Sequence, residues 1–174
     1  MSECQMTLTN RQSIARDTMA FWFDANGARY EFRAGQHADF VFGSESDNSR
    51  TFSLASSPLD KESIMIAMRM RKTAFKSGLK TAALGTKLIV SRPRGSFTLH
   101  RDITRPAVFL AGGIGITPIR SILDSCLSEE PAVPAATKTS MMQLEPPRPE
   151  TLRWSSPAIF SSIFATVLVG RRSI

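Results

Sequence analysis

Two cysteines and two histidines are all that the 174 residues contain, and that scarcity removes several classes of chemistry at once. Cys4 and Cys126 lie far apart and fit neither a metal-ligand spacing nor a redox pair, so both are expected as free thiols in a reducing compartment. His37 and His100 have no acid or nucleophile at a suggestive spacing, so neither a serine–histidine–acid arrangement nor a metal site is expected. The N-terminus lacks the apolar stretch of a secretory leader, and the expected location is the cytoplasm. No helix-turn-helix, zinc-finger or aromatic RNA-binding pattern accompanies the basic residues, which argues against nucleic acid as a partner.

What is present is an ordinary globular composition, 42% hydrophobic and 21% charged, with room for one domain and part of a second. The charge is unevenly spread. Residues 1–49 hold four Lys/Arg against seven Asp/Glu, whereas residues 50–105 hold twelve against three. A middle segment with that excess suits an anionic cofactor, an acidic protein or a solvated basic face.

Short alternating runs fill the first hundred residues. Residues 1–11 are polar and are expected to fray. Thr18–Asp24 is a rich strand, Ala25-Asn26-Gly27 reads as a hairpin turn, and Arg29–Phe32 is the expected return. Gln36–Phe42 alternates with Ala38, Phe40 and Phe42 on one face. Arg50-Thr51-Phe52-Ser53-Leu54-Ala55-Ser56-Ser57-Pro58 begins on a cation, carries hydroxyls and stops at a proline. Ser63–Arg71 alternates again, Ala74–Leu84 has helical spacing ended by Gly85, Lys87–Ser91 is a strand, and Ser96–Leu99 is a last short one. Short strands at this spacing predict a six-stranded antiparallel barrel over residues 12–104.

The pattern then changes. Ala107–Ala111 is a continuous apolar run of the kind found in buried parallel strands. Gly112-Gly113-Ile114-Gly115-Ile116-Thr117-Pro118 follows, with Thr117 as the expected N-cap and Pro118 as the first helical residue. Strand, glycine turn and helix over residues 105–130 predict the start of a nucleotide-binding α/β domain. The glycines do not follow the G-x-G-x-x-G spacing, so phosphate contact and a merely tight junction both remain open here.

In combination these pieces are more specific. R-T-F-S-L-A-S-S-P, then M-R-M-R-K-T-A-F-K, then P-R-G-S-F, then F-L-A-G-G-I-G-I-T-P-I-R-S-I-L, together with F-R-A-G-Q at Phe32–Gln36, resemble the ferredoxin–NADP reductase family, with its FAD-binding FR-type barrel. The resemblance implies a flavin-binding antiparallel barrel followed by a parallel α/β nucleotide-binding domain, here incomplete. It implies FAD, with FMN as the alternative, and NAD(P)H as co-substrate. Electrons would leave for a carrier such as ferredoxin or flavodoxin. Carried over by position, Arg50 would pair with the flavin pyrophosphate and Thr51 and Phe52 would line the flavin. Phe52 stands where the family often has tyrosine. Ser53 would sit near flavin N5 as the catalytic residue. Arg69, Thr73, Phe75 and Lys76 would complete the phosphate and ribose side. Gly112, Gly113, Gly115, Thr117 and Pro118 would face the nicotinamide nucleotide. A flavin-binding module without turnover and a membrane-tethered electron-transfer subunit are the alternatives.

Residues 131–174 leave that pattern. Pro131, Pro134, Pro146, Pro147 and Pro149 do not build a parallel sheet, so the segment is expected to be a disordered tail or the product of a shifted reading frame. Read one base out of phase, with the degenerate codon positions chosen to suit, Glu150–Thr166 can spell an amphipathic helix. A third reading is a membrane tail, since Trp154–Gly170 is seventeen uncharged residues. That is the shortest plausible span, and Pro157 with interspersed serines dilutes it, so a membrane is not the expected partner.

Overall fold

The N-terminal stretch that reads as polar forms the strand shared by both halves of the barrel. A computed structural model describes residues 3–43, 49–61, 63–102, 107–128 and 165–169. Strand β1, Cys4–Ala15, uses its first residues to pair with β6, Lys87–Val90, and the remainder to pair with β2, Thr18–Asp24. The expectation that residues 1–11 fray is therefore corrected from Cys4 onward. Its cause is a sparse period of two: Met6 and Leu8 point inward and are fully buried, while Gln5 and Thr9 stay polar on the outer face.

Strands β3, His37–Val41, β4, Ser49–Ser53, and β5, Ile64–Arg69, complete one six-stranded antiparallel sheet ordered β4-β3-β6-β1-β2-β5. Its ends meet just past β4, where the Ala55 N–H donates to the Met65 carbonyl at 2.7 Å and the Met65 N–H donates to the Ser56 hydroxyl at 3.0 Å. Phe21, Phe23, Phe40, Leu54, Ile66, Leu88 and Val90 fill the interior. Helix α1, Ala74–Thr81, adds Phe75 and Leu79 to that core.

Two expected strands are absent among the described residues. The Ala25–Gly27 turn forms, with the Ala28 N–H donating to the Ala25 carbonyl at 3.0 Å. Residues 28–33 make no strand, because β1 and β5 already occupy both edges of β2. Tyr30 instead fastens this loop by donating its hydroxyl to the Ser91 carbonyl at 2.8 Å. Residues 96–99 are likewise not a strand; the Thr98 N–H turns back to the Ser96 carbonyl.

Past the barrel, β7, Ala107–Ala111, leads through a 3-10 turn at Gly113–Gly115 into α2, Ile116–Ser128. The expected strand–turn–helix unit is present. Among the described residues the sheet partner of β7 is β8, Ala165–Val169, and it runs antiparallel. A parallel neighbour would need a crossover after α2, and the residues directly after α2 lie outside the described set. Val108 and Leu110 are 58% and 76% exposed, so the run is not buried on both faces as expected. Within residues 131–174 the described residues are 165–169, which form β8; the readings of that segment otherwise lie outside the described residues. The stretch read in a shifted frame lies outside the described residues, apart from the first two residues of β8. Among the described residues no helix is long and apolar enough to cross a membrane.

Candidate functional site

Helix α1 opens on Thr73, whose backbone is extended and whose hydroxyl accepts the Lys76 N–H at 3.4 Å. That satisfies one of the amide groups a helix start leaves unpaired. Burying Phe75 and Leu79 leaves Lys76 at the barrel surface, where its ammonium donates to the Arg69 carbonyl at 2.7 Å. Partial burial pulls the Lys76 pKa below the usual lysine range, and the positive charges of Arg71 and Arg50 lower it further. Like charges are thus gathered beside a helix N-terminus, which adds its own partial positive charge. An anion among them would relieve that repulsion, and a phosphate suits a helix start.

Alternation along β4 divides the expected flavin residues. Phe52 turns inward, with ring centroids 5.8 Å from Phe40 and 5.6 Å from Phe75. Arg50 belongs to the same row but ends it, so its side chain is exposed and donates to the Ser49 carbonyl at 2.6 Å. Thr51 and Ser53 face outward with their β3 partners Asp39 and His37. The Thr51 hydroxyl donates to Asp39, and Arg94 forms a bidentate ion pair with the same carboxylate. Hydrogen bonds from Arg94, more than burial opposes them, hold the Asp39 carboxyl below the usual carboxylate range. The outer wall beside Ser53 is therefore a polar face already set in place by an ion pair.

The glycine turn lies open. A Cβ placed on Gly113 or Gly115 would meet no heavy atom within 4 Å, so no packing among the described residues demands their small size. Thr117 is not the N-cap expected from the sequence. The helix begins at Ile116, two residues before the expected first helical residue, and the buried Thr117 hydroxyl donates to the Ile114 carbonyl at 3.0 Å. Pro118 falls in the first helical turn, where a missing N–H costs nothing.

Arg50, Thr73 and Lys76 therefore come together, with Arg71 as a cation the sequence reading passed over. Thr51 and Ser53 share the adjoining outer face. Arg69 is exposed at the end of β5 and contributes its carbonyl to Lys76. Gly112, Gly113 and Gly115 are exposed together at the start of α2, while Thr117 is buried behind them. The Phe75 side chain is fully buried in the core, and Phe52 packs mainly against the same cluster. An apolar ring beside a barrel interior is drawn inward.

Sequence reasoning also missed Arg120, Ser121 and Asp124 on α2. Arg120 donates to the Ala55 carbonyl and pairs with Asp124 at 3.1 Å. Burial pushes the Asp124 carboxyl up to about 6, against the pull of Arg120 and with a smaller push from Asp60. An unfolded aspartate titrates near 4, so the folded chain binds the extra proton between those values. Stability gained from that proton is present at low pH and is lost as pH rises from about 4 through about 6. Urea unfolding across pH 4–7 is expected to show this decline, and Asp124→Asn to flatten it. A decline unchanged in the variant would assign it to another group.

No family model matches the sequence. The chain is 33% identical over 99 residues to terephthalate 1,2-dioxygenase reductase component 1 of a Comamonas species, covering 56% of this chain and 29% of that protein. It is 32% identical over 109 residues to the NAD(P)H-flavin reductase of Aliivibrio fischeri, covering 57% and 44%. Among solved structures, phthalate dioxygenase reductase aligns with a TM-score of 0.62 at 25% identity, covering 74% of this chain and 40% of that one. The chain thus spans less than half the length of each of these proteins. Barrel, cationic helix start and glycine turn occur in one order, and over that part the chain is similar to these dioxygenase reductases and to the NAD(P)H-flavin reductase.

Proposed function

We propose that the chain holds FAD on the β4–α1 side of its barrel and passes electrons from NAD(P)H to an acceptor protein. The observation that carries this reading is the cationic cluster at the start of α1, where Arg71 and Arg50 gather beside the partly buried Lys76. In this reading Arg50 and Lys76 hold the flavin pyrophosphate, a pairing suited to a guanidinium fork and an ammonium. Arg69 and Thr73 border the same side. Thr51 and Ser53 present hydroxyls to the ring system, with Ser53 beside N5. The open face at Gly112, Gly113 and Gly115, ahead of Thr117 and Pro118, receives the nicotinamide nucleotide. The flavin unit corresponds to the barrel, and the nicotinamide unit begins at 105–130. A bound flavin would supply the redox chemistry; the chain supplies binding, orientation and charge.

Phthalate dioxygenase reductase is described as a modular structure for electron transfer from pyridine nucleotides to an iron–sulfur centre. That favours an iron–sulfur carrier of the ferredoxin kind as acceptor over flavodoxin, in the cytoplasm. The basic excess of residues 50–105 suits an acidic carrier. Absorption spectra of the purified full chain test the proposal. Protein incubated with FAD is expected to turn yellow and to bleach anaerobically on adding NADH or NADPH. A chain that takes up neither FAD nor FMN would overturn flavin binding. A yellow chain inert to both nucleotides would overturn turnover alone.

A further inference from the structure

The proposed chemistry leaves unused a polar cluster between α2 and the chain that follows β4. The Ser121 hydroxyl, fully buried, donates to the Ser56 carbonyl at 2.6 Å. The Arg120 guanidinium donates to the Ala55 carbonyl, lies 3.9 Å from the Met65 sulfur, and pairs with Asp124. The Arg120 and Asp124 side chains are only 16% and 14% exposed. On its other side the same segment is bonded to β5 through Met65, so Ala55 and Ser56 are held from both directions.

Adhesion alone does not require these groups, because Ile116, Ile119, Ile122 and Leu123 already bury an apolar face of α2. Apolar contact is non-directional, and a helix resting on it can slide or rotate. Hydrogen bonds to two successive carbonyls fix both motions, since their strength falls steeply with misalignment. The position matters as well. Ala55 and Ser56 directly follow Ser53 and Leu54, and Arg120 and Ser121 lie one turn beyond the glycines. Hydride transfer is sensitive to misplacement of about 1 Å.

We propose that Arg120 and Ser121 are positioning residues that lock the glycine turn at a fixed place relative to the Ser53 end of β4. Their bearing on hydride transfer rests on the flavin reading above; the lock itself does not. Hydrogen exchange of the full chain without cofactor tests the lock directly. In Arg120→Met and in Ser121→Ala, amides of residues 112–117 are expected to exchange at least tenfold faster, while β1–β6 keep their protection. Unchanged exchange at the turn in both variants overturns the proposal. So does a rise of equal size in turn and barrel, which would make the pair general stability contacts.

A second measurement addresses the chemistry. With FAD loaded, reduction by NADH or NADPH is expected to slow at least tenfold in either variant while the apparent nucleotide affinity moves less than threefold. Light-driven reduction of the flavin should be unchanged. Faster exchange at the turn with an unaltered reduction rate overturns the positioning role. If the wild-type chain binds no flavin or is not reduced, the flavin reading fails and the exchange result alone decides the lock.

Discussion

Exchanging Arg50 and Lys76 together for alanine should weaken FAD binding by about 100-fold or more, measured by quenching of flavin fluorescence. Each charge-assisted hydrogen bond to a phosphate is worth roughly 1.5–3 kcal/mol, and about 1.4 kcal/mol is tenfold in affinity. Riboflavin, which has no phosphate, should bind both forms alike, and FAD affinity should fall with salt more steeply in the wild type. If the double variant bound FAD as tightly as the wild type, the phosphates would have to lie elsewhere.

The barrel was legible from the sequence wherever alternation was dense. Phe40 with Ala38, and Ile66 with Ile64 and Met68, face inward as their period of two requires. β1 was illegible because only Met6 and Leu8 mark its inner face amid polar neighbours. The return strand after Gly27 was misjudged for a non-local reason: a turn signal says that the chain reverses, but not whether a sheet edge is free to receive it. The candidate site divides along the same line. Arg50 and Gly115 are exposed where the motifs put them, and Lys76 is partly buried. Phe52 and Phe75 could not be separated from core residues by sequence, since an aromatic ring serves either purpose and only packing decides. Arg120 and Ser121 sat inside a recognised motif, yet their partners are backbone carbonyls sixty-five residues away. A carbonyl leaves no residue type in the sequence to reveal the contact.

Gly35→Ala is expected to cost about 3 kcal/mol or more of stability, lowering the thermal midpoint by roughly 10 °C in a chain of this size. Gly35 belongs to the F-R-A-G-Q motif that supports the flavin resemblance, but its demand is mechanical. Its φ is +92°, which disfavours any side chain, and a Cβ there would overlap the Phe97 carbonyl oxygen while also reaching Ile122 of α2 at 3.1 Å. The loop cannot shift to make room, because Gln36 fastens it. The Gln36 side chain accepts the Arg33 N–H at 2.8 Å and donates to the Gly95 carbonyl at 3.3 Å, and its carbonyl accepts the Leu54 N–H at 2.9 Å. Gly27 is the matched control: φ is +78° there, but no atom lies within 4 Å of an added Cβ. Gly27→Ala should therefore cost only the backbone term of about 1–2 kcal/mol. The difference between the two variants isolates the steric contact, and it should be the same with and without FAD. A Gly35→Ala penalty that appears only in the flavin-loaded protein would instead place this glycine against the cofactor. Because the overlap involves the barrel loop, residue 97 and α2 together, the apo chain should register it in full.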